Sequence, residues 1–320
     1  MELWRWETRT RVIWMPKPNL FIVGAPKCGT TAMNQYLGQH PDIFIPKDKD
    51  KRFFGLDLQM ISRLTEAQFL RRFARADKPF VLDASVYSLL SKTAASEIKL
   101  FSPNAKIIIM LRNPVEMLHA HHAQLVFNGL GEDEPLTDFL DAWRAEESRR
   151  RGAQIPPKTR VREALYYREL ADYVPQVSRY YDTFGRSCVH VVIYDDFKRD
   201  ASRTTRAVFC FLGLVDDIAL QTPVINPNTV VRYPVIRWVI ARIPNFLKGL
   251  FPQALRRTFR VFVGKVNTKV SERPKINEAL KREIATYFSP RTPALSDLLD
   301  RKIPWADALL EASQDIDEVR

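Results

Sequence analysis

The sequence predicts an α/β protein, a three-layer sandwich around a central, mostly parallel sheet. Three observations predict it. Four short runs rich in apolar and β-branched residues, 20–23, 80–82, 106–111 and 189–194, have the length and composition of buried strands. Helical patterns at 30–39, 66–76, 94–101, 115–127 and 163–184 alternate with them. That alternation implies parallel strands with helices covering both faces. Each run also ends in a polar cluster, and ligands of such sheets bind beyond the carboxyl ends of the strands. The clusters are Lys27-Cys28-Gly29-Thr30, Asp83-Ala84-Ser85, Arg112-Asn113-Pro114 and Tyr194-Asp195-Asp196, and they are expected to gather at one edge.

Taken in order, residues 1–17 read as an N-terminal extension, studded with Trp and Arg and lacking the apolar core of a signal peptide. The first strand runs into Gly24-Ala25-Pro26-Lys27-Cys28-Gly29-Thr30-Thr31. A glycine-bounded turn leading into a helix directs backbone N–H groups at an anion. The Walker form G-x-x-x-x-G-K-[ST] places its lysine after the second glycine. Here Lys27 sits inside the turn and Thr30 follows Gly29 directly, which points away from magnesium-dependent ATP hydrolysis. The third strand delivers Arg112 just before an Asn-Pro break and a new helix. Its planar fork suits phosphate, although a strand-end arginine also serves as a surface ion-pair partner. His119, His121 and His122 share the following helix; without nearby Cys or an H-E-x-x-H pattern they predict no metal site. Asp195 and Asp196 read as helix-capping or structural.

The net charge is +12, and nine cations fall between positions 218 and 271, where there is no Asp or Glu. Trp238, Phe246, Phe251, Phe259 and Phe262 interleave with them. Such a stretch, 231–270, fits peripheral contact with an anionic membrane surface, a lid over an anionic or lipid-linked acceptor, or a helical subdomain with a solvated basic face. No recognised nucleic-acid module accompanies the charge, so no nucleic-acid partner is expected. Three cysteines make no disulfide framework, and Cys188 and Cys210 read as core residues. No apolar run approaches the roughly 20 residues of a membrane span. The expected location is cytoplasmic, with the inner membrane surface left open by the basic segment.

The two strongest motifs resemble the sulfotransferase family. Gly24–Thr31 is similar to its 5′-phosphosulfate loop, with Cys28 where serine or glycine is usual, and Leu111-Arg112-Asn113-Pro114-Val115-Glu116 resembles its 3′-phosphate motif. His40-Pro41-Asp42-Ile43, Asp50-Lys51-Arg52-Phe53-Phe54-Gly55, Asp83-Ala84-Ser85-Val86-Tyr87 and the tail from Leu280 to Trp305 match further family segments in order, so the resemblance spans about 18–306. It implies a P-loop-NTPase-like sulfotransferase fold over 18–310, followed by a tail at 311–320. It also implies sulfuryl transfer from 3′-phosphoadenosine 5′-phosphosulfate to a hydroxyl or amine, without a metal. The acceptor would be a glycan, a lipid-linked molecule or a small molecule.

By that resemblance Lys27 supplies a cation at the leaving oxygen. Cys28, Gly29, Thr30 and Thr31 hold the 5′-phosphate, and Arg112 holds the 3′-phosphate. The family's serine eight residues after the arginine is Ala120 here, leaving His121 or Tyr167 as substitute donors. Asp50 aligns with the glutamate base of glycan-type members, although it could equally belong to a solvated charged loop; Asp83 is the alternative base. Two other readings compete: a P-loop-like kinase or phosphotransferase, and a non-catalytic polyanion or membrane-surface binder on a degenerate scaffold.

Overall fold

The computed structural model describes residues 3–8, 11–47, 53–127, 133–223, 229–231, 268–270 and 275–314. A hairpin comes first: β1 (Leu3–Thr8) pairs antiparallel with β2 (Arg11–Pro16). The central sheet is built from β3 (Leu20–Gly24), β4 (Ile43–Phe44), β5 (Phe80–Ala84), β6 (Lys106–Leu111) and β7 (Val189–Ile193). Its order is β4-β5-β3-β6-β7 and every pairing is parallel. The four strands expected from the sequence are therefore present, β5 running two residues further and β7 stopping at Ile193. A fifth, β4, is a two-residue edge strand too short to leave a periodic signal.

β3 is the middle strand of that order, and every one of its residues is buried. Asn19 fixes its start: the side chain accepts from Val81 N (2.8 Å) and donates to Pro79 O (2.8 Å), while its carbonyl accepts from Lys106 N (2.9 Å). The chain steps from β3 to β4 and β5 on one side, then crosses to β6 and β7 on the other. Right-handed crossovers with opposite steps put their helices on opposite faces. Accordingly α1 (Thr30–Leu37) packs with α10 (Ala201–Leu212), and α3 (Ala94–Phe101) packs with α8 (Tyr173–Phe184). The strand order reverses around β3, so the turn after β3 opens at the switch point, where this architecture binds ligands.

The remaining helices are α2 (Glu66–Leu70), α4 (Pro114–Phe127), α5 (Phe139–Arg144), α6 (Glu146–Arg150), α7 (Tyr167–Leu170), α9 (Tyr194–Arg199), α11 (Glu278–Phe288), α12 (Thr292–Leu299) and α13 (Ala306–Gln314). The expected continuous helix over 163–184 is corrected: it is a 3-10 turn at Arg162–Leu165, then α7, then α8. Pro175 is the physical reason. Proline lacks the N–H that an interior helical position must donate, but a first turn needs no such donor. The chain therefore restarts at Tyr173 and places Pro175 in the first turn of α8.

A second correction concerns the cysteines. Cys28 is the buried one, Cys188 is half-buried and Cys210 is exposed on α10. β8 (Thr229–Val231) and β9 (Thr268–Val270) pair antiparallel, so the two ends of the basic segment meet. Positions 232–267, on which the lid and membrane expectations rest, lie outside the described residues. Among the described residues no helix is long and apolar enough to cross a membrane.

A charged pair is sealed in the protein. Arg149 donates from Nη1 and Nη2 to the two oxygens of Glu134 at 2.7 Å each, and both side chains are 0% exposed. Tyr167 Oη adds a bond to Glu134 at 2.8 Å.

Candidate active site

The site grows from the carboxyl end of β3. Pairing between β3 and β6 shifts register between Ile22 and Gly24, which releases the chain from the ladder. Ala25 N still donates to Met110 O at 2.7 Å, holding the turn against β6. Lys27 (φ 60°) and Gly29 (φ 86°) are both left-handed, and they curl the turn into the first residues of α1. Left-handed residues in a turn direct successive N–H groups toward one concavity. A helix N-terminus adds N–H groups without intrahelical partners and a partial positive charge. Gly29, the N-cap, contributes no side chain that would close over that turn.

Glycine is required at 29 on two counts. A Cβ there would lie 3.1 Å from the Phe197 ring and 3.2 Å from the Tyr194 ring, in a backbone region costing about 1–2 kcal/mol for other residues. Gly29→Ala is expected to destabilise the protein by about 1–3 kcal/mol in urea unfolding, because the Phe197 and Tyr194 rings must move to admit the methyl group.

Lys27 is half-buried, and its Nζ donates to Gln124 Oε1 of α4 at 3.1 Å. Arg112 leaves the end of β6 and reaches the same turn, donating from Nη1 to the Lys27 carbonyl at 3.3 Å. Its guanidinium lies over the Tyr194 ring, 4.4 Å from the centroid. Nε and Nη2 donate to Glu116 Oε2 at 3.0 and 2.6 Å. Tyr173 Oη donates to the Arg112 carbonyl at 2.9 Å, fixing the backbone from α8. The phosphate-type turn, the arginine and the start of α9 thus share one edge of the sheet.

Cys28 lies behind the turn, fully buried, with Sγ donating to Pro26 O at 3.4 Å. Burial pushes its thiol up to about 12, so it stays protonated near neutrality and acts as packing. Thr30 is buried and Thr31 half-buried at the head of α1.

Asp83 ends β5 beside β3. It is 1% exposed, with Oδ1 accepting from Arg72 Nη1 at 3.0 Å and Oδ2 from Ser85 Oγ at 2.8 Å. Asp50 lies outside the described residues. The residues that follow it are firmly anchored: Phe54 meets Phe21 of β3 edge-on at 5.7 Å, and Phe53 stacks on Phe69 at 4.3 Å. Arg63 donates to the carbonyls of Phe53 and Gly55 at 2.8 and 2.6 Å.

His121 is 1% exposed, and its Nε2 donates to Ala164 O at 2.9 Å. Burial, helped by the Lys27 charge, lowers its pKa to about 4, so the ring is neutral. Tyr167 is fully buried with its hydroxyl on Glu134, within the sealed pair described above. Ala120 is buried on α4. His122 Nε2 bonds the Leu136 carbonyl at 2.8 Å and its ring stacks on Phe139 at 4.7 Å. Asp195 and Asp196 occupy the first turn of α9, where Asp196 pairs with Arg199 and, at 2.8 Å, with Arg301. Among the described residues, no group of three or more His, Cys, Asp or Glu is placed to hold a metal ion.

Sequence reasoning missed Gln124. The signal was a polar side chain in an otherwise apolar turn of α4, but only the folded chain brings it to Lys27, 97 positions away.

A family model described as a sulfotransferase domain matches residues 17–223. The crystal structure of a sulfotransferase from Alicyclobacillus acidocaldarius superposes with a TM-score of 0.67 at 27% identity, covering 90% of this chain and 98% of that one. The membrane-associated sulfotransferase kil1 of Dictyostelium discoideum is 25% identical over 37% of this chain and 26% of its own length. Human carbohydrate sulfotransferase 15 is 23% identical over 37% of this chain and 29% of its own length. The chain spans less than a third of both curated relatives.

Proposed function

The chain belongs to the sulfotransferase domain family, and from that premise we propose that it moves a sulfuryl group from 3′-phosphoadenosine 5′-phosphosulfate to a hydroxyl on a saccharide-bearing acceptor. The observation that carries the donor assignment is the contact between Arg112 and the Lys27 carbonyl. It joins a turn suited to a 5′-phosphate and a fork suited to a second phosphate into one continuous lining. Two anion subsites on one nucleotide are the requirement that separates this donor from other adenine nucleotides. The saccharide assignment draws on the name of carbohydrate sulfotransferase 15, and a membrane-linked acceptor on that of the membrane-associated sulfotransferase.

When bound, the donor supplies an activated sulfur–oxygen bond. Backbone N–H groups of Gly29, Thr30 and Thr31 would hold the 5′-phosphate. Lys27 would neutralise the charge that builds on the bridging oxygen as that bond breaks, an interaction stronger in the transition state than in the ground state. The acceptor oxygen forms the new bond to sulfur from the opposite side, and its proton passes to a carboxylate, Asp50 or Asp83. Arg112 would grip the 3′-phosphate as a positioning group remote from the reacting atoms.

A labelled-donor transfer screen over saccharide acceptors tests this reading. Arg112→Ala is expected to raise the donor KM by about 10- to 100-fold, the worth of one or two charge-assisted hydrogen bonds, with a smaller effect on kcat. Absence of transfer from the phosphosulfate donor to every hydroxyl acceptor, together with an unchanged donor KM in Arg112→Ala, would reject it.

A further inference from the structure

Arg112 is not held by neutral groups alone. A single oxygen, Oε2 of Glu116, accepts from both Nε (3.0 Å) and Nη2 (2.6 Å). The guanidinium is 16% exposed and the glutamate side chain 57% exposed, so the carboxylate approaches from the solvent side. One face of the guanidinium rests on Tyr194, and Nη1 is on the Lys27 carbonyl. Asp195, half-buried one residue beyond Tyr194, adds a second carboxylate near the pair, and the Glu116 charge contributes to its raised pKa after burial itself.

This arrangement has a consequence for any phosphate brought to Arg112. The edge formed by Nε and Nη2 is one of the two that a guanidinium offers for bidentate binding, and a carboxylate already bridges it. A phosphate taking that edge must displace Glu116. A phosphate taking the other edge must share the single guanidinium charge with Glu116, which still holds Nε and Nη2, and it sits a few ångströms from that carboxylate, where like charges repel. In both cases the net gain from Arg112 is reduced by the glutamate.

We propose that Glu116 is a specificity-setting residue of the 3′-phosphate subsite, a carboxylate placeholder that a nucleotide's 3′-phosphate must displace or oppose. The inference rests on the assignment of Arg112 made above and adds a named opponent to it. The donor and the spent nucleotide both carry the 3′-phosphate, so Glu116 weakens both. It therefore speeds release of the spent nucleotide, at the expense of donor affinity. A nucleotide with only a 5′-phosphate does not meet the pair and is unaffected.

Titration calorimetry of the full chain with adenosine 3′,5′-bisphosphate and with adenosine 5′-monophosphate separates the outcomes. Glu116→Gln keeps the shape and a hydrogen-bond acceptor while removing the charge. It is expected to tighten the bisphosphate roughly two- to tenfold, the range for a partly exposed ion pair, and to leave the monophosphate unchanged. Glu116→Ala is expected to act in the same direction, and the exposed position makes both variants compatible with folding, which a thermal melt verifies. Bisphosphate affinity that is unchanged or weaker in both variants, or equal tightening of both nucleotides, overturns the inference. Arg112→Ala keeps the two readings apart. If that variant still prefers the bisphosphate as strongly as the parent chain, the Arg112 assignment fails and this inference with it. If the preference is lost while Glu116→Gln changes nothing, only this inference fails.

Discussion

Lys27→Ala is expected to lower kcat for sulfuryl transfer by about 10²–10³-fold, the loss typical when one preorganised charge-stabilising donor is removed from a transition state. Its left-handed backbone (φ 60°) and the bond from Nζ to Gln124 fix where its ammonium stands. A cation held in place before reaction costs no reorganisation as charge develops on the bridging oxygen. Nucleotide affinity is expected to fall less than kcat, because the backbone N–H groups of the turn remain. Lys27→Arg is not a conservative replacement here, since a planar fork cannot occupy the space of a compact ammonium beside Gln124. Steady-state kinetics at saturating donor, with thermal melting as a folding control, provides the measurement. Full kcat in Lys27→Ala would remove the lysine from the chemistry.

The largest stability effect is expected from Arg149→Ala. Both members of the Arg149–Glu134 pair are 0% exposed, and the carboxylate would be left with two neutral donors, the Tyr167 hydroxyl and the Leu136 N–H, and no cation. Breaking a buried pair by removing one partner typically costs about 3–5 kcal/mol, because an uncompensated charge stays out of water. For a chain of 320 residues that corresponds to a fall of roughly 4–8 °C in Tm. The double variant Arg149→Met with Glu134→Leu should be less destabilised than Arg149→Ala, since it leaves no buried charge unpaired. Urea unfolding of the single and double variants tests this. A double variant that costs as much as the sum of its singles would show that the charges are not coupled. Tyr167, whose hydroxyl bonds Glu134, meets the ring of His122 on α4 at 6.3 Å, and α4 also carries Gln124 and Glu116, so loss of the pair should also blunt nucleotide binding.

Much of the fold was legible because the central strands are buried on both faces and so read as continuous apolar runs. Lys106–Leu111, with Ile107 through Leu111 at 0% exposure, is the plainest case. β4 escaped because two residues carry no periodicity. The break before α8 escaped because the amphipathic pattern over 163–184 continues across it, although Pro175 marks the place. In the candidate site, the turn and Arg112 were legible as local motifs, each following a strand. Their partners were less so. Glu116 lies four residues after Arg112, yet that spacing does not say whether a carboxylate supports the fork or competes for it. The pairing of Lys27 with Gln124 depends on how α4 lies across the strand ends, and no local pattern encodes that. Cys210 was misread because α10 presents one side to solvent, and an apolar neighbourhood in sequence is not burial.

The most direct test of the central assignment is a crystal structure of the full chain grown with adenosine 3′,5′-bisphosphate. The expected result has the 5′-phosphate within hydrogen-bond distance of the N–H groups of Gly29, Thr30 and Thr31, with Lys27 Nζ turned toward it. The 3′-phosphate should lie on the guanidinium of Arg112, with Glu116 displaced from Nε and Nη2 or held on the far edge. A nucleotide bound elsewhere, or one whose 3′-phosphate is distant from Arg112, would contradict it.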